Sequence, residues 1–153
     1  MSLRVSWTPT PAEVARQALK LAGVGPHDVV FDLGCGTGRV LVMATKEFGA
    51  RKAVGYDTSQ ERCKLARRKV EKENLQRKVS IVNKDLLEAD LTGASVIFLY
   101  LSDKGNALLK EKFERECKKD VRIVSHRFRM THWPIMAKCG EEYTFQTYLY
   151  KVQ

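Results

Sequence analysis

The sequence predicts an α/β fold whose mostly parallel sheet is doubly wound, with helices on both faces. Short apolar runs recur along the chain and alternate with longer segments of helical periodicity. The run that ends at Leu33 is apolar at nearly every position, as expected for a strand buried on both faces. Near the C-terminus, two β-rich stretches flank Gly140-Glu141, which predicts an antiparallel hairpin closing the sheet.

The N-terminal region predicts an irregular arm followed by a helix. Residues 1–8 show no periodicity, and residues 1–153 as a whole predict one domain. Thr10 suits the N-cap of the first helix, because Pro11 follows at the first helical position and Glu13 completes a capping box. Gly23 and the turn after it end that helix.

Strands and helices then alternate through the middle of the chain. The predicted strands cover residues 28–33, 52–57, 79–83, 94–100 and 121–126. The predicted helices cover residues 38–48, a segment opened by Thr58 and Glu61 as a second capping box, and residues 103–118. In such sheets ligands bind at the carboxyl ends of the strands, where the strand order reverses, so the site is expected there.

The first strand ends in an acid and leads into a glycine-rich turn. Asp32 is followed by Gly34, Gly36 and Gly38, and a helix begins after them. Glycines permit close backbone approach, and a helix N-terminus carries free N–H groups, so the turn suits an adenine nucleoside cofactor. The dinucleotide fingerprint would place its third glycine at Arg39. The alternative is a turn that only lets a strand meet a helix.

This Gly-x-Gly-x-Gly pattern resembles motif I of the class I S-adenosyl-L-methionine (SAM) methyltransferases, whose fold is Rossmann-like. SAM has no pyrophosphate but carries an ammonium group, which suits Asp32. Asp57 ends the second strand about 20 residues further on, a spacing typical of a ribose-binding acid. The same resemblance implies that Asp85 meets the adenine amino group and that Leu86 supplies a backbone N–H. The cofactor would be SAM, and its product S-adenosyl-L-homocysteine.

The net charge and the cysteines indicate which partners and which cellular compartment to expect. The net charge is +9, and many of the cations lie between Glu61 and Lys84. This excess favours acidic partners such as RNA, although the run lacks interleaved aromatics and also suits the solvated face of a helix. The four cysteines are not spaced as metal ligands, so we expect no metal and an intracellular, cytoplasmic protein. No segment is apolar for long enough to predict a transmembrane span.

Four further segments narrow the resemblance. They are Ser6-Trp7-Thr8-Pro9-Thr10-Pro11, Phe98-Leu99-Tyr100-Leu101-Ser102, Val124-Ser125-His126-Arg127-Phe128 and Trp133-Pro134. Together they resemble the small, single-domain protein-lysine methyltransferases, which include archaeal broad-specificity enzymes and mitochondrial relatives. The chain departs from that family in having Asp57 where a glutamate is usual and Arg127 where an acid is usual.

The resemblance implies a protein substrate with an accessible lysine and direct displacement of the methyl group. Tyr100 is placed to form a wall of the slot that would hold the substrate lysine (the lysine slot), or else it packs on the hairpin. His126 is a candidate proton acceptor, or else holds a loop by hydrogen bonds. Thr8 and Thr10 are candidates for the SAM carboxylate. The open alternatives are an RNA methyltransferase, a small-molecule methyltransferase and a non-catalytic SAM-binding module. The oligomeric state is not predicted.

Overall fold

A computed structural model of the chain describes residues 7–141 and 144–153. Within these residues one sheet contains seven strands: β1 Val29–Leu33, β2 Lys52–Asp57, β3 Val79–Asn83, β4 Val96–Leu99, β5 Arg122–His126, β6 Ala137–Cys139 and β7 Thr147–Lys151. The helices are α1 Ala12–Leu21, α2 Arg39–Lys46, α3 Gln60–Lys72 and α4 Asp103–Glu116, with a short 3-10 helix at Leu86–Glu88.

The strand order is β3-β2-β1-β4-β5-β7-β6. Strands β1 to β5 pair in parallel, and β7 pairs antiparallel with both β5 and β6. The predicted α/β class and the C-terminal antiparallel hairpin are therefore confirmed. After β3 the chain returns to the other side of β1, so the order reverses between β1 and β4. The glycine turn lies at this reversal, where such folds bind ligands.

Strand β1 is buried along its whole length because helices cover both of its faces. Phe31 and Leu33 belong to one apolar cluster with Leu109 and Phe113 of α4. Val30, on the opposite face, belongs to a second cluster with residues of α1 and α2. The two clusters hold the carboxyl end of β1 rigidly, and the functional turn begins there.

Both predicted capping boxes are wrong in detail. Helix α1 has Pro11 as its N-cap residue, with φ −57° and ψ 145°, and no side chain of the described residues caps it. The helix begins at Ala12, one residue later than predicted, because the Pro11 backbone is itself extended and its carbonyl oxygen accepts the first helical hydrogen bond, from the Ala15 N–H. Helix α3 is capped by Ser59, not Thr58, and the Ser59 hydroxyl accepts a hydrogen bond from the Arg62 backbone N–H.

The hairpin strands are shorter than the sequence predicted. The predicted second stretch starts at Tyr143, which lies outside the described residues, as do residues 1–6 of the predicted arm. Strand β7 begins only at Thr147, because the segment before it turns back on Gly140. A Cβ on Gly140, where φ is +107°, would lie 3.0 Å from the Phe145 carbonyl oxygen. Of the helices described, none is both long and apolar enough to cross a membrane.

Candidate cofactor and substrate site

The glycine turn is fastened directly onto the end of β2. The backbone N–H groups of Gly34 and Cys35 both donate to the Tyr56 carbonyl oxygen, at 2.8 and 2.9 Å. The turn approaches β2 this closely because Gly55 has no side chain. A Cβ on Gly55 would lie 2.7 Å from the Cys35 sulfur. Gly55 was not singled out from the sequence, although it lies opposite Asp32 in the sheet register.

Asp57 is buried at the carboxyl end of β2 and holds the turn from below. One carboxylate oxygen accepts the Gly36 N–H at 2.9 Å. The other accepts the Ser59 N–H at 2.9 Å and a guanidinium N–H of Arg62 at 3.0 Å. The acid predicted to bind ribose hydroxyls therefore lies under the glycine turn, and a bound diol would have to share it with Arg62.

Asp32 is the most unusual group of the site. Its side chain is almost completely buried, and within the part of the chain that the structure describes its Oδ1 atom has no hydrogen-bond partner. Burial, with a smaller contribution from the nearby Asp57 charge, raises the pKa of Asp32 to about 8. A buried carboxyl with an unused oxygen fits a cationic ligand, because an ammonium group would satisfy its charge and its acceptor together.

The described part of the arm, from Trp7 to the start of α1, covers the turn. The Trp7 ring lies against Gly36, so that a Cβ there would be 2.7 Å from Trp7 Cε2. The Arg62 guanidinium carbon lies 5.1 Å from the Trp7 ring centroid. Further along, Arg39 donates to the Thr10 carbonyl oxygen at 2.8 Å. Three side chains that sequence patterns did not assign to the site, Trp7, Arg39 and Arg62, thus fasten the arm and the turn.

A pocket lies between the arm and the turn. Thr8, Thr10, Asp32, Gly34 and Tyr100 are among the residues that line it. Its volume is about 40 Å³. Small-molecule pockets are typically about 300–1,000 Å³. A nucleoside cofactor needs more room than this pocket provides, and the Trp7 ring over Gly36 takes up part of that room.

The remaining predicted cofactor residues are more peripheral. Asp85 accepts the Leu87 N–H at 2.9 Å and opens the 3-10 helix, and Leu86 is buried beneath it. Neither lines the pocket. Gly38, with φ +88°, is the N-cap residue of α2, and a Cβ there would lie 3.3 Å from the Ala66 Cβ. Gly38 therefore lets α2 and α3 approach each other.

Tyr100 and His126 meet at the ends of β4 and β5. Their rings pack edge to face with centroids 4.7 Å apart, and Tyr100 also lines the pocket. His126 Nδ1 lies 2.9 Å from the Thr147 hydroxyl, so the ring also tethers β7. Burial and then the neighbouring Arg127 charge lower the pKa of His126 below its ordinary 6.5. His126 is therefore neutral at pH 7.

The site thus combines a glycine turn at the strand-order reversal, an orphaned buried acid and a second acid under the turn. The donor set fits SAM, because Asp32 lacks the cation that SAM carries and the turn allows close backbone approach. Among residues 7–141 and 144–153 no group of three or more His, Cys, Asp or Glu side chains is arranged to hold a metal ion. Fold and site together define a class I SAM-dependent methyltransferase.

Comparison with known proteins agrees with this class. Residues 32–137 match the family described as the ANTKMT methyltransferase domain. A protein-lysine N-methyltransferase of Saccharolobus islandicus is 40% identical over 129 residues, which are 84% of this chain and 80% of that protein. The mouse adenine nucleotide translocase lysine N-methyltransferase is 30% identical over 92% of this chain and 61% of its own length.

A solved structure is also closely similar. The RNA methyltransferase of Salinibacter ruber, crystallised with S-adenosyl-L-homocysteine, superposes with a TM-score of 0.90 at 31% identity, over 95% of this chain and 94% of that one. The chain belongs to the ANTKMT methyltransferase-domain family. It is a SAM-dependent methyltransferase, as the motifs predicted.

Proposed function

We propose that this protein is a protein-lysine N-methyltransferase of one domain, spanning residues 1–153. The proposal rests on the sequence of this chain, which over 84% of its length is 40% identical to an archaeal protein named as a protein-lysine N-methyltransferase. The geometry agrees with it. Tyr100 lines the pocket next to the glycine turn and packs on His126, which supports a role for it as a wall of the lysine slot.

The cofactor would be held by residues that the sequence motifs singled out. Asp32 would pair with the ammonium group, and the backbone of Gly34 and Gly36 would permit close approach. The further assignments are Thr8 and Thr10 to the carboxylate, Asp57 to the ribose hydroxyls, Asp85 and Leu86 to the adenine, and Gly38 to the start of α2. When bound, SAM supplies a methyl group made electrophilic by its sulfonium.

The protein's own task is to deliver a neutral amine in line with that methyl group. A free lysine has a pKa of about 10.4, so roughly one in 10³ is neutral near pH 7. Enclosure against the Tyr100 ring lowers the pKa of the incoming ammonium, because burial disfavours its charge. His126 is neutral, which allows it to accept a proton. Holding the two reacting atoms together supplies most of the remaining rate enhancement.

RNA methylation is the second candidate. The structure that superposes with a TM-score of 0.90 belongs to a protein named as an RNA methyltransferase. The net charge of +9 also favours a polyanionic partner. Lysine methylation remains the leading proposal because the relative at 40% identity is named as a protein-lysine N-methyltransferase.

Four free cysteines, two of them buried, lead us to propose an intracellular, cytoplasmic location.

The deciding experiment is transfer of radiolabelled methyl from SAM into a cell lysate, followed by separate protease and ribonuclease digestion. We expect protease to release the label and acid hydrolysis to recover it as methyl-lysine. Label released only by ribonuclease would establish the RNA activity instead. Label in the small-molecule fraction, or none at all while SAM binds, would point to the other two alternatives.

Two sets of variants accompany that experiment. Asp32→Ala is expected to weaken SAM binding and to abolish transfer, since it removes the orphaned acid. Tyr100→Phe keeps the ring wall and should retain most of the turnover, whereas Tyr100→Ala should lose it. Full turnover in both Tyr100 variants would remove this residue from the lysine slot.

A further inference from the structure

We propose that the loop after β5 selects lysines that have an acidic neighbour in the substrate, with Arg127 as the residue that determines this specificity. The inference rests on the proposed lysine activity and deepens it, since it names the substrate class. The acceptor would be a peptide segment in which aspartate or glutamate lies within a few residues of the target lysine.

Arg127 is held in a backbone conformation that few residues adopt. Its φ is +69°, in the left-handed region. The Phe128 N–H donates to the His126 carbonyl oxygen at 2.8 Å, which closes a tight γ-turn around Arg127. Such a strained conformation persists where the surrounding structure imposes it. It also clusters at functional sites, and this turn begins at His126.

Hydrogen bonds from buried side chains hold the γ-turn around Arg127 in place. The Ser125 hydroxyl donates to the Phe128 carbonyl oxygen at 2.6 Å. The Asn106 side-chain amide, from α4, donates to the Ser125 hydroxyl at 3.0 Å and to the Phe128 carbonyl oxygen at 3.1 Å. Ser125 and Asn106 are both buried. A further bond, from the Arg127 N–H to the Gln146 carbonyl oxygen at 2.7 Å, ties the turn to the hairpin.

The Arg127 side chain is presented to solvent on aromatic rings. Its guanidinium carbon lies 3.9 Å from the Phe145 ring centroid and 4.9 Å from that of Phe128. The Arg127 side chain is exposed, and among the described residues it forms no ion pair. Stacking orders a guanidinium while leaving its N–H edge open to a carboxylate, which it binds through two parallel hydrogen bonds.

A row of rings connects this cation to the pocket. Tyr100 packs on His126 at 4.7 Å, and His126 packs edge to face on Phe145 at 6.4 Å. Arg127 covers Phe145 at the outer end of the row. An extended peptide advances about 3.3 Å per residue. A side chain within roughly three positions of a lysine at Tyr100 would therefore reach Arg127.

The occupant that this arrangement favours is a carboxylate on a peptide. The face of Phe145 nearest the cation is covered by Arg127, so it is not open to a stacking nucleobase. A lysine with further basic neighbours would be repelled by Arg127. Arg129 stands two residues on, with its guanidinium carbon 5.1 Å from the Tyr148 ring, and adds to that repulsion.

The test compares methylation sites produced by three forms of the full chain in the same lysate: wild type, Arg127→Gln and Arg77→Gln. Arg77→Gln removes the same charge from an exposed position in the turn before β3, at the opposite edge of the sheet. Peptides covering the sites found by mass spectrometry are then synthesised in pairs that differ by Glu→Gln or Asp→Asn beside the lysine. SAM binding by each variant checks that it is folded.

We expect wild type and Arg77→Gln to prefer the acidic peptide by about twofold to fivefold in kcat/KM, mainly through KM, since the contact lies away from the reacting atoms. Arg127→Gln should lose this preference, and Arg127→Glu should prefer peptides with a basic neighbour. If the wild-type enzyme forms methyl-lysine without preferring acidic peptides, or if Arg127→Gln keeps the same preference, the inference about Arg127 is wrong while the proposed lysine activity stands. Absence of methyl-lysine with the wild-type protein would instead overturn the proposed function on which it rests.

Discussion

The Trp7 ring lies against Gly36, the middle glycine of the cofactor turn, so closely that a Cβ on Gly36 would be 2.7 Å from Trp7 Cε2. The ring thus occupies space directly above the backbone that the cofactor is expected to approach. Arg62 contacts both the Trp7 ring and the acid beneath the turn. Its guanidinium carbon lies 5.1 Å from the Trp7 ring centroid, and its guanidinium pairs with Asp57. The Trp7 ring and the cofactor therefore compete for the same surface.

Replacing Trp7 should strengthen SAM binding. A cation–π contact at an exposed site contributes about 0.5–1 kcal/mol, so Trp7→Ala is expected to raise SAM affinity by roughly twofold to fivefold. Calorimetry measures this, with Met136→Ala as the control, since Met136 is a large exposed apolar residue beside β6. Weaker binding by Trp7→Ala would mean that the ring contacts the cofactor rather than excluding it.

The affinity for SAM should depend on pH through Asp32. The pKa of this carboxyl is raised to about 8, chiefly by burial, so most molecules carry it protonated at pH 6.5. An ammonium ligand requires the ionised form, and binding should release close to one proton at that pH. Affinity should rise by about eightfold between pH 6 and 7, and the rise should level off toward pH 8, where the amino group of SAM is itself about half deprotonated.

Titration calorimetry in buffers of different ionisation enthalpy counts the released proton. Asp32→Asn should bind more weakly, release no proton and show a nearly flat profile between pH 6 and 7. The same released proton in Asp32→Asn would assign the titration to another group.

The same acid should make the ligand-free protein less stable as the pH rises. Its pKa in the folded state lies above the unfolded value of 3.8. The stability linked to Asp32 is therefore fully present below about pH 4 and is lost as the pH rises through about 8. Asp32→Asn, which cannot ionise, should unfold at least about 3 °C higher than wild type at pH 8.5. The difference should shrink toward pH 5, and a gap that does not change with pH would contradict the assignment.

Local sequence patterns sufficed for the strand-turn-helix unit around Asp32, because that unit is specified by neighbouring residues. The apolar strand, the glycines and the spacing to Asp57 are all local, and the structure brings them together at the strand-order reversal. The ion pair of Arg62 with Asp57 was missed, since Arg62 seemed only part of a basic helix face. Contacts of this kind depend on side-chain direction rather than on periodicity.

Other differences come from competition between local preferences. Thr10 is a residue type that favours the N-cap position, but Pro11 takes that position and Arg39 donates a hydrogen bond to the Thr10 carbonyl oxygen. Similarly, Thr144 to Gln146 have strand-forming composition but fold back on Gly140 before β7 begins. In both places tertiary contacts outweigh propensities of less than about 1 kcal/mol per residue.

His126 should titrate below its ordinary value, and Arg127 should account for part of the shift. Burial is the larger cause and the Arg127 charge the smaller one, so Arg127→Gln should raise the pKa of His126 while leaving it below 6.5. NMR titration of the imidazole protons measures this, with His126→Gln assigning its resonance among the three histidines. Arg77→Gln, the distant charge control, should leave the midpoint unchanged.

The sign of the stability effect follows from the same shift. The pKa of His126 is lower in the folded chain than in the unfolded one, so its contribution to stability is present above about pH 6.5 and is lost as the pH falls through the folded value. Arg127→Gln should therefore lose less stability than wild type between pH 6.5 and 5. A His126 midpoint that moves down, or not at all, in Arg127→Gln would mean that the Arg127 charge does not act on the His126 ring.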